Sequence, residues 1–203
     1  MLFQGQVLQN IPTSRATGNP NVTQVQLGEL GVSEVLPRLY ALGWSGLIYS
    51  ASNQAAQAVS AALATTYTGI GVYNPTGSGV NVVPVKVKFA LSVAPVAIAT
   101  IGLLASWAAT GGVTAQTTKL TVQNGIIGNS ASGKGIPLSA ATITTPTWVE
   151  QLVDGFTAAS LPSPSIPCYM DGHMAVAPGG FLAVGALTAV TGLGSLFWVE
   201  LPV

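Results

Sequence analysis

The sequence predicts an all-β fold, an antiparallel β-sandwich with jelly-roll-like connections and an extended N-terminal arm. About ten short β-type runs, bounded by Gly, Pro, Asn or Ser, follow one another along the chain, which is a spacing typical of sandwiches. The clearest runs lie between Tyr67 and Leu104. With 203 residues the chain can bury one sizeable core. We therefore predict a single β-sandwich domain over residues 22–203, preceded by an arm over residues 1–21.

The arm is predicted because proline and glycine interrupt a polar stretch that has no hydrophobic period. The arm either reaches a neighbouring subunit or is a poorly ordered terminus. The residues favour both interpretations equally. A first short strand follows around Val25. Residues 32–50 contain Pro37 and two glycines, so two strands around a turn fit better than one helix. Alternation favours a further strand over residues 53–63, although alanine intrinsically favours helix.

The centre of the chain contains three β-type runs in close succession. The runs Thr65–Tyr73 and Val80–Val93 flank Asn74–Gly79, whose glycines and proline suit a chain reversal. We expect these two runs to pair as a hairpin. The third run, Val96–Leu104, follows at once, so the three should form an antiparallel meander.

The second half of the chain continues the β-type pattern. The Pro-rich stretch over residues 161–167 is too stiff and too poor in hydrogen-bond donors for a central strand. It is predicted to cross an end of the sandwich. The remaining strands are predicted over residues 113–123, 136–144, 147–153, 174–176, 181–187 and 196–201.

Charged residues are scarce throughout. The chain has 6 Lys and Arg and 6 Asp and Glu, which balance to zero net charge, whereas an average protein of this length carries roughly 50 charged residues. So little charge gives exposed apolar groups little protection from association. We therefore expect a homo-oligomer. Nucleic acid is disfavoured as a partner, because phosphate contacts need clustered basic residues and these are scattered.

A membrane protein and a secreted protein are also disfavoured. Two uncharged windows, Phe89–Ala109 and Met174–Val199, are long enough to raise the question of membrane helices. Gly, Pro and Thr break both windows into β-length pieces, so no membrane segment is predicted. The N-terminus lacks the basic start and apolar core of a signal peptide. Cys168 is the single cysteine and excludes an internal disulfide.

One glycine-rich segment imitates a nucleotide-binding loop. Gly128–Lys134 has the spacing of a phosphate-binding loop, but Gly135 stands where the metal-binding Ser or Thr is required. No parallel-sheet strand precedes it in the predicted pattern. We therefore predict no cofactor site there.

Two further groups have residue types that can carry chemistry. Cys168, Asp171 and His173 are close in sequence, but a thiol nucleophile or a metal needs a more complete set, and a turn explains them more simply. Glu150 and Asp154 could pair as carboxylates, although a solvated strand end is the safer interpretation. We therefore predict no catalytic residue, no metal and no enzymatic activity.

The tryptophans are the candidate contact residues. Large aromatic side chains serve as core residues, as subunit anchors or as a sugar-binding face. The residues predicted for oligomer or ligand contacts are Trp44, Trp107, Trp148 and Trp198.

Three β- and turn-rich segments are distinctive: YTGIGVYNPTGSGVN from Tyr67, FALSVAPVAIATIGL from Phe89 and APGGFLAVGALTAVTGLGSLFWVELPV from Ala177. In these segments, and through Leu27–Ala58, the chain resembles virion proteins of tailed bacteriophages and prophages. The resemblance covers most of the chain outside the arm and residues 124–170. It implies a non-enzymatic virion component, such as a head decoration protein or fibre, and a homotrimer. Its partners would be copies of itself and capsid or other virion proteins, without nucleic acid or membrane. The alternative is a receptor- or glycan-binding adhesin that uses exposed aromatic residues.

Overall fold

The structure, a computed structural model, describes residues 24–26, 29–31, 38–130, 132–156, 166–170 and 172–203. The chain divides into two compact units between Ala41 and Leu42. In the first unit, β1 (Gln24–Gln26) and β2 (Glu29–Gly31) pair antiparallel. The predicted arm over residues 1–21 lies outside the described residues, so the arm and its boundary stay predictions.

The second unit consists mostly of strands, as its β-branched and aromatic runs predict. The helix α1 (Arg38–Trp44) precedes these strands and contains the boundary between the two units. The strands are β3 (Ile48–Ser52), β4 (Gln57–Val59), β5 (Thr66–Tyr73), β6 (Val80–Leu91), β7 (Ala99–Trp107), β8 (Val113–Lys119), β9 (Gln123–Asn124), β10 (Ile136–Ile143), β11 (Thr147–Phe156), β12 (Ile166–Tyr169), β13 (Gly180–Ala186) and β14 (Val190–Pro202).

Two antiparallel sheets pack against each other, which confirms the predicted all-β sandwich. The β5 sheet has the strand order β11-β7-β13-β5-β10-β8, and the β6 sheet has the order β12-β6-β14-β3-β9, with β4 also pairing with β14. Alternate residues of both sheets enter one shared core, as Val72 does from β5 and Phe89 from β6. Trp198 is completely buried there and stacks on Tyr49, with ring centroids 6.1 Å apart.

The predicted hairpin and meander are wrong, because β5, β6 and β7 alternate between the sheets. β5 pairs with β10 and β13, β6 with β12 and β14, and β7 with β11 and β13. The segment Asn74–Gly79 therefore crosses from one sheet to the other. The Asn74 side chain holds this crossing, since its Nδ2 donates to the carbonyl oxygens of Val80 and Val176, each at 2.8 Å. Because β5 and β6 lie in opposite sheets, their apolar faces can pack on each other. Two strands paired side by side in one sheet could not pack face to face.

The outer face of the β5 sheet carries a second apolar cluster in which aromatic rings lie over glycines. A Cβ at Gly71 would stand 2.6 Å from Cζ of Phe181 and 2.8 Å from the carbonyl oxygen of Leu182. Tyr67 meets Phe181 edge to face, with centroids 5.3 Å apart. Its hydroxyl lies 2.8 Å from the carbonyl oxygens of Ile70 and Val184 and can donate to either. Glycine is therefore required where these rings cover the sheet.

The predicted pair of strands over residues 32–50 is partly wrong, because α1 precedes β3. Pro37 directly precedes the helix in sequence, and Gly46 follows its end with φ of 69°. The N–H of Leu47 donates to the carbonyl of Leu42 at 3.1 Å, and that of Gly46 donates to Gly43 at 3.0 Å. These two bonds form a Schellman motif. Proline and glycine thus mark the ends of a helix here, where the sequence pattern suggested strand breakers.

The strand predicted over residues 53–63 is confirmed only in part, and the crossing predicted for the Pro-rich stretch stays a prediction. Within residues 53–63 only Gln57–Val59 is a strand, and Ala62 already has a positive φ of 54°. The end of the Pro-rich stretch enters β12, where Pro167 lies on an edge strand, a position that tolerates a missing N–H. Residues 157–165 lie outside the described part.

Candidate contact surfaces

The structure separates the four predicted contact tryptophans. Trp44 is 71 % exposed at the end of α1, and Trp107 is 62 % exposed at the end of β7. Trp148 is 37 % exposed on β11. Trp198 is completely buried in the shared core, so its assignment as a surface contact is corrected to a core residue. Strand alternation decides this, because Trp198 points to the inner face of β14.

Trp44 belongs to a surface that sequence reasoning found only in part. The turn after α1 packs against the turn after β9, and Asn124 joins them: its Nδ2 donates to the Gly46 carbonyl at 2.9 Å. Its Oδ1 accepts the Ile126 N–H at 2.8 Å, and the side chain is almost completely buried. The two turns expose four apolar side chains, which we call the Trp44 surface: Trp44, Leu47, Ile126 and Ile127. The sequence does not reveal that the turn after α1 meets the turn after β9.

Trp107 lies at the end of the sandwich where three loops meet. The N–H of Gly112 donates to the carbonyl of Gly179 at 2.6 Å. Asn74 exchanges backbone hydrogen bonds with this loop, accepting from Gly179 at 2.7 Å and donating to Gly180 at 2.8 Å. The exposed indole of Trp107 therefore stands on a backbone framework that is tied together.

Trp148 packs one part of its ring over the sheet and leaves the rest exposed. A Cβ at Gly185 would stand 2.9 Å from its Cζ3, and a Cβ at Gly102 would stand 3.4 Å from the same atom. The indole thus covers two glycines of β13 and β7. Its main role in the described chain is packing on the outer face of the β5 sheet.

The sheet edges are protected against strand pairing with another chain. The β5 sheet ends in β8 and β11, and each shifts register at three places against its neighbour. The β6 sheet ends in β9, which has two residues, and in β12, which has four and contains Pro167. Bulges, short strands and proline are the usual protections of sheet edges. Association of this unit is therefore expected through side-chain surfaces.

The glycine-rich loop with phosphate-loop spacing does bind an anion, but this anion is the protein's own Glu200 carboxylate. The Lys134 N–H donates to Oε2 at 2.8 Å, and the Gly135 N–H donates to Oε1 at 2.8 Å. The Trp198 indole N–H also donates to Oε1, at 3.1 Å. Glu200 is 7 % exposed, so the carboxylate anchors the loop to β14 from inside. Two of the backbone N–H groups that this loop could offer to a phosphate are therefore taken by Glu200.

The second candidate cluster contains Cys168, Glu150 and His173, while Asp171 and the Asp154 side chain lie outside the described residues. His173 Nε2 lies 3.8 Å from Oε2 of Glu150. Burial, and then the charge of Glu150, raises the pKa of the Cys168 thiol. A nucleophilic cysteine needs the opposite shift, because the thiolate is the reactive form. Among the described residues, no group of three His, Cys, Asp or Glu side chains could hold a metal ion.

No family model matches this chain, and neither a curated protein nor a solved structure is significantly similar to it. In the part of the chain that the structure describes, no helix has the length and apolar character to cross a membrane.

Proposed function

We propose that the protein is a non-enzymatic structural component of a phage virion. It associates with copies of itself as a homotrimer and attaches to the capsid as a decoration, fibre or minor capsid protein. The observation that supports this most is the Trp44 surface on a unit with few charges. Trp44 is 71 % exposed, and three other apolar side chains are exposed in the two turns that Asn124 joins. Tryptophan is enriched among residues that dominate the affinity of protein contacts, and exposed apolar patches mark interaction sites.

The strand connectivity supports the same proposal. β13 lies between β5 and β7 in one sheet, β11 follows β7, and β6 pairs with β12 in the other sheet. We infer a jelly-roll-like arrangement, because jelly rolls likewise pass successive strands between two sheets. Such folds occur in capsid and lectin domains, so this argument is one of fold analogy and the contact surface carries the function.

Light scattering across a dilution series tests the self-association. We expect a trimer or larger closed assembly that persists on dilution and that Trp44→Ser dissociates. Trp107→Ser is the matched control, because it removes a similarly exposed tryptophan outside the Trp44 surface. A wild-type chain that remains a 20.5 kDa monomer at every concentration would refute the proposal. Mass spectrometry of purified particles from the source strain tests the virion location.

A glycan- or receptor-binding adhesin is the second candidate, and exposed Trp107 at the loop end favours it. Sugar rings stack on exposed aromatic faces in such sites. On a glycan array, Trp107→Ala should then abolish binding without changing Tm, while Trp44→Ala should leave binding intact. Equal binding by both variants would remove this candidate.

A further inference from the structure

One Asn-Gly pair occurs in the sequence, at Asn124 and Gly125. Asparagine is a thermolabile residue, because the backbone nitrogen that follows it can attack the side-chain amide. A following glycine favours this attack, since it has no Cβ to hinder the nitrogen and lets the backbone reach the required geometry. We therefore expect Asn124 to be the fastest-deamidating asparagine of the unfolded chain.

The reaction needs no partner other than water. The Gly125 nitrogen forms a bond to Cγ of Asn124, the bond between Cγ and Nδ2 breaks, and ammonia leaves with the proton of the Gly125 N–H. Water then opens the cyclic imide at either carbonyl group. The product is aspartate, or isoaspartate, in which the main chain continues through Cβ and Cγ. Either product carries a carboxylate where the amide stood.

The folded chain holds both reacting groups in hydrogen bonds. The Gly125 N–H donates to the Ile48 carbonyl at 2.7 Å, so the proton that must leave is engaged. Nδ2 of Asn124 donates to the Gly46 carbonyl at 2.9 Å, and Oδ1 accepts the Ile126 N–H at 2.8 Å. The Asn124 side chain is 6 % exposed. The amide cannot turn towards the Gly125 nitrogen without breaking these bonds, so the fold protects it.

Neither product can restore the contacts of the amide. A carboxylate has no hydrogen to donate, so one of its oxygens would face the Gly46 carbonyl oxygen. Isoaspartate would also add a carbon atom to the main chain of β9, where Asn124 pairs with Tyr49 of β3. Gly46 follows α1 and Ile126 follows β9, so the lost contacts are those that join the two turns of the Trp44 surface.

We propose that Asn124 is a latent deamidation site that the fold keeps unreactive, and that its conversion irreversibly dismantles the Trp44 surface. Three hydrogen bonds close the site in the native chain. At ordinary net strength they slow the reaction about 100-fold relative to the unfolded chain. Deamidation at Asn124 therefore records how often the two turns come apart. This chemistry does not depend on the proposed virion function.

Mass spectrometry of the incubated wild-type protein tests the protection. Samples are kept at mildly alkaline pH in buffer or in denaturing guanidinium chloride. Fragment ions separate Asn124 from exposed Asn129, which lies in the same tryptic peptide and is followed by serine. In guanidinium chloride Asn124 should deamidate faster than Asn129, whereas in buffer its reaction should slow about 100-fold and the order should reverse. Equal rates for Asn124 in both solutions would overturn the inference.

Asn124→Asp tests the consequence of conversion, because it supplies the carboxylate without the reaction. Asn129→Asp is the matched control, since it makes the same change at an exposed asparagine. Asn124→Asp should lower the urea midpoint by about 1 M and should speed hydrogen exchange of the Gly125 N–H about tenfold, while Asn129→Asp should change neither. Equal midpoints and equal exchange rates for the two variants would overturn the claim that conversion dismantles the Trp44 surface.

Discussion

Replacing Glu200 by glutamine should destabilise the fold more than any comparable change at a surface carboxylate. The carboxylate accepts three N–H groups, from Lys134, Gly135 and the Trp198 indole, at 2.8, 2.8 and 3.1 Å. In Glu200→Gln, one oxygen becomes an amide group that faces an N–H donor. One bond is therefore lost with a donor left unsatisfied, and the other two lose their charge assistance.

The magnitude follows from these bonds. A hydrogen bond to a charged group contributes about 1.5–3 kcal/mol and a neutral one about 1, while an unsatisfied buried donor costs about 1–3 kcal/mol. The neutral amide is less costly to bury than the carboxylate, and this offsets part of the loss. We expect the free energy of unfolding to fall by about 2 kcal/mol, which lowers the urea midpoint by about 1 M.

Urea unfolding followed by circular dichroism measures this change. Glu150→Gln is the matched control, because it makes the same substitution at a partly exposed carboxylate whose ion pair with His173 is 3.8 Å long. It should cost about 0.5 kcal/mol or less. Equal midpoints for the two variants would refute the view that Glu200 anchors the glycine-rich loop.

Three further predictions concern the core and its titrating groups. Gly71→Ala should destabilise the fold by at least about 3 kcal/mol in urea unfolding, because its Cβ would lie 2.8 Å from a backbone carbonyl that cannot move aside; a native-like midpoint would contradict this packing. Tyr67→Phe should lower the free energy of unfolding by about 1–2 kcal/mol at pH 7. Burial raises the pKa of Tyr67 well above its usual value, so the extra stability of the wild type should be present below about pH 10 and decline above it, because the unfolded tyrosine ionises first. A stability difference independent of pH would be inconsistent with a buried phenol. Iodoacetamide should alkylate Cys168 more slowly in the native protein than in the unfolded chain at pH 8, because burial and the Glu150 charge raise the pKa of the thiol. Glu150→Gln should therefore speed the reaction of the native protein. An unchanged rate in this variant would exclude an effect of the Glu150 charge on the thiol.

The fold class could be predicted from the sequence because it depends on local patterns. β-branched runs between turn residues occur at regular spacing, and burial on one face follows from alternation, as in β6. Sheet membership could not be predicted in the same way. The turn after Tyr73 is equally compatible with a hairpin and with a crossing between sheets. The crossing is held by side-chain bonds of Asn74 to nearby Val80 and to distant Val176. The sequence pattern does not reveal the helix after Pro37, because the proline and glycines that border it here also interrupt helices elsewhere.

The contact residues could also be predicted only in part from the sequence. Residue type identified Trp44 and Trp107 as candidates, and both are exposed. Residue type could not separate them from Trp198, whose burial depends on the inner face of β14 and on Glu200. The two uncharged windows are visible in the sequence, where they raise only the question of membrane helices. The structure brings the loops after β6 and β13 together at one end of the sandwich, and this places exposed Val96, Ile98 and Leu187 at the same end.

The sequence by itself determined that this chain is a charge-poor β protein with no complete catalytic pattern, because composition and period-2 alternation are properties of neighbouring residues. The tertiary structure decided which strands share a sheet, that the glycine-rich loop binds Glu200, and which apolar side chains face solvent together. These depend on contacts between residues as far apart as Gly135 and Glu200. Such contacts are selected by the packing of the whole core, and no local pattern encodes them.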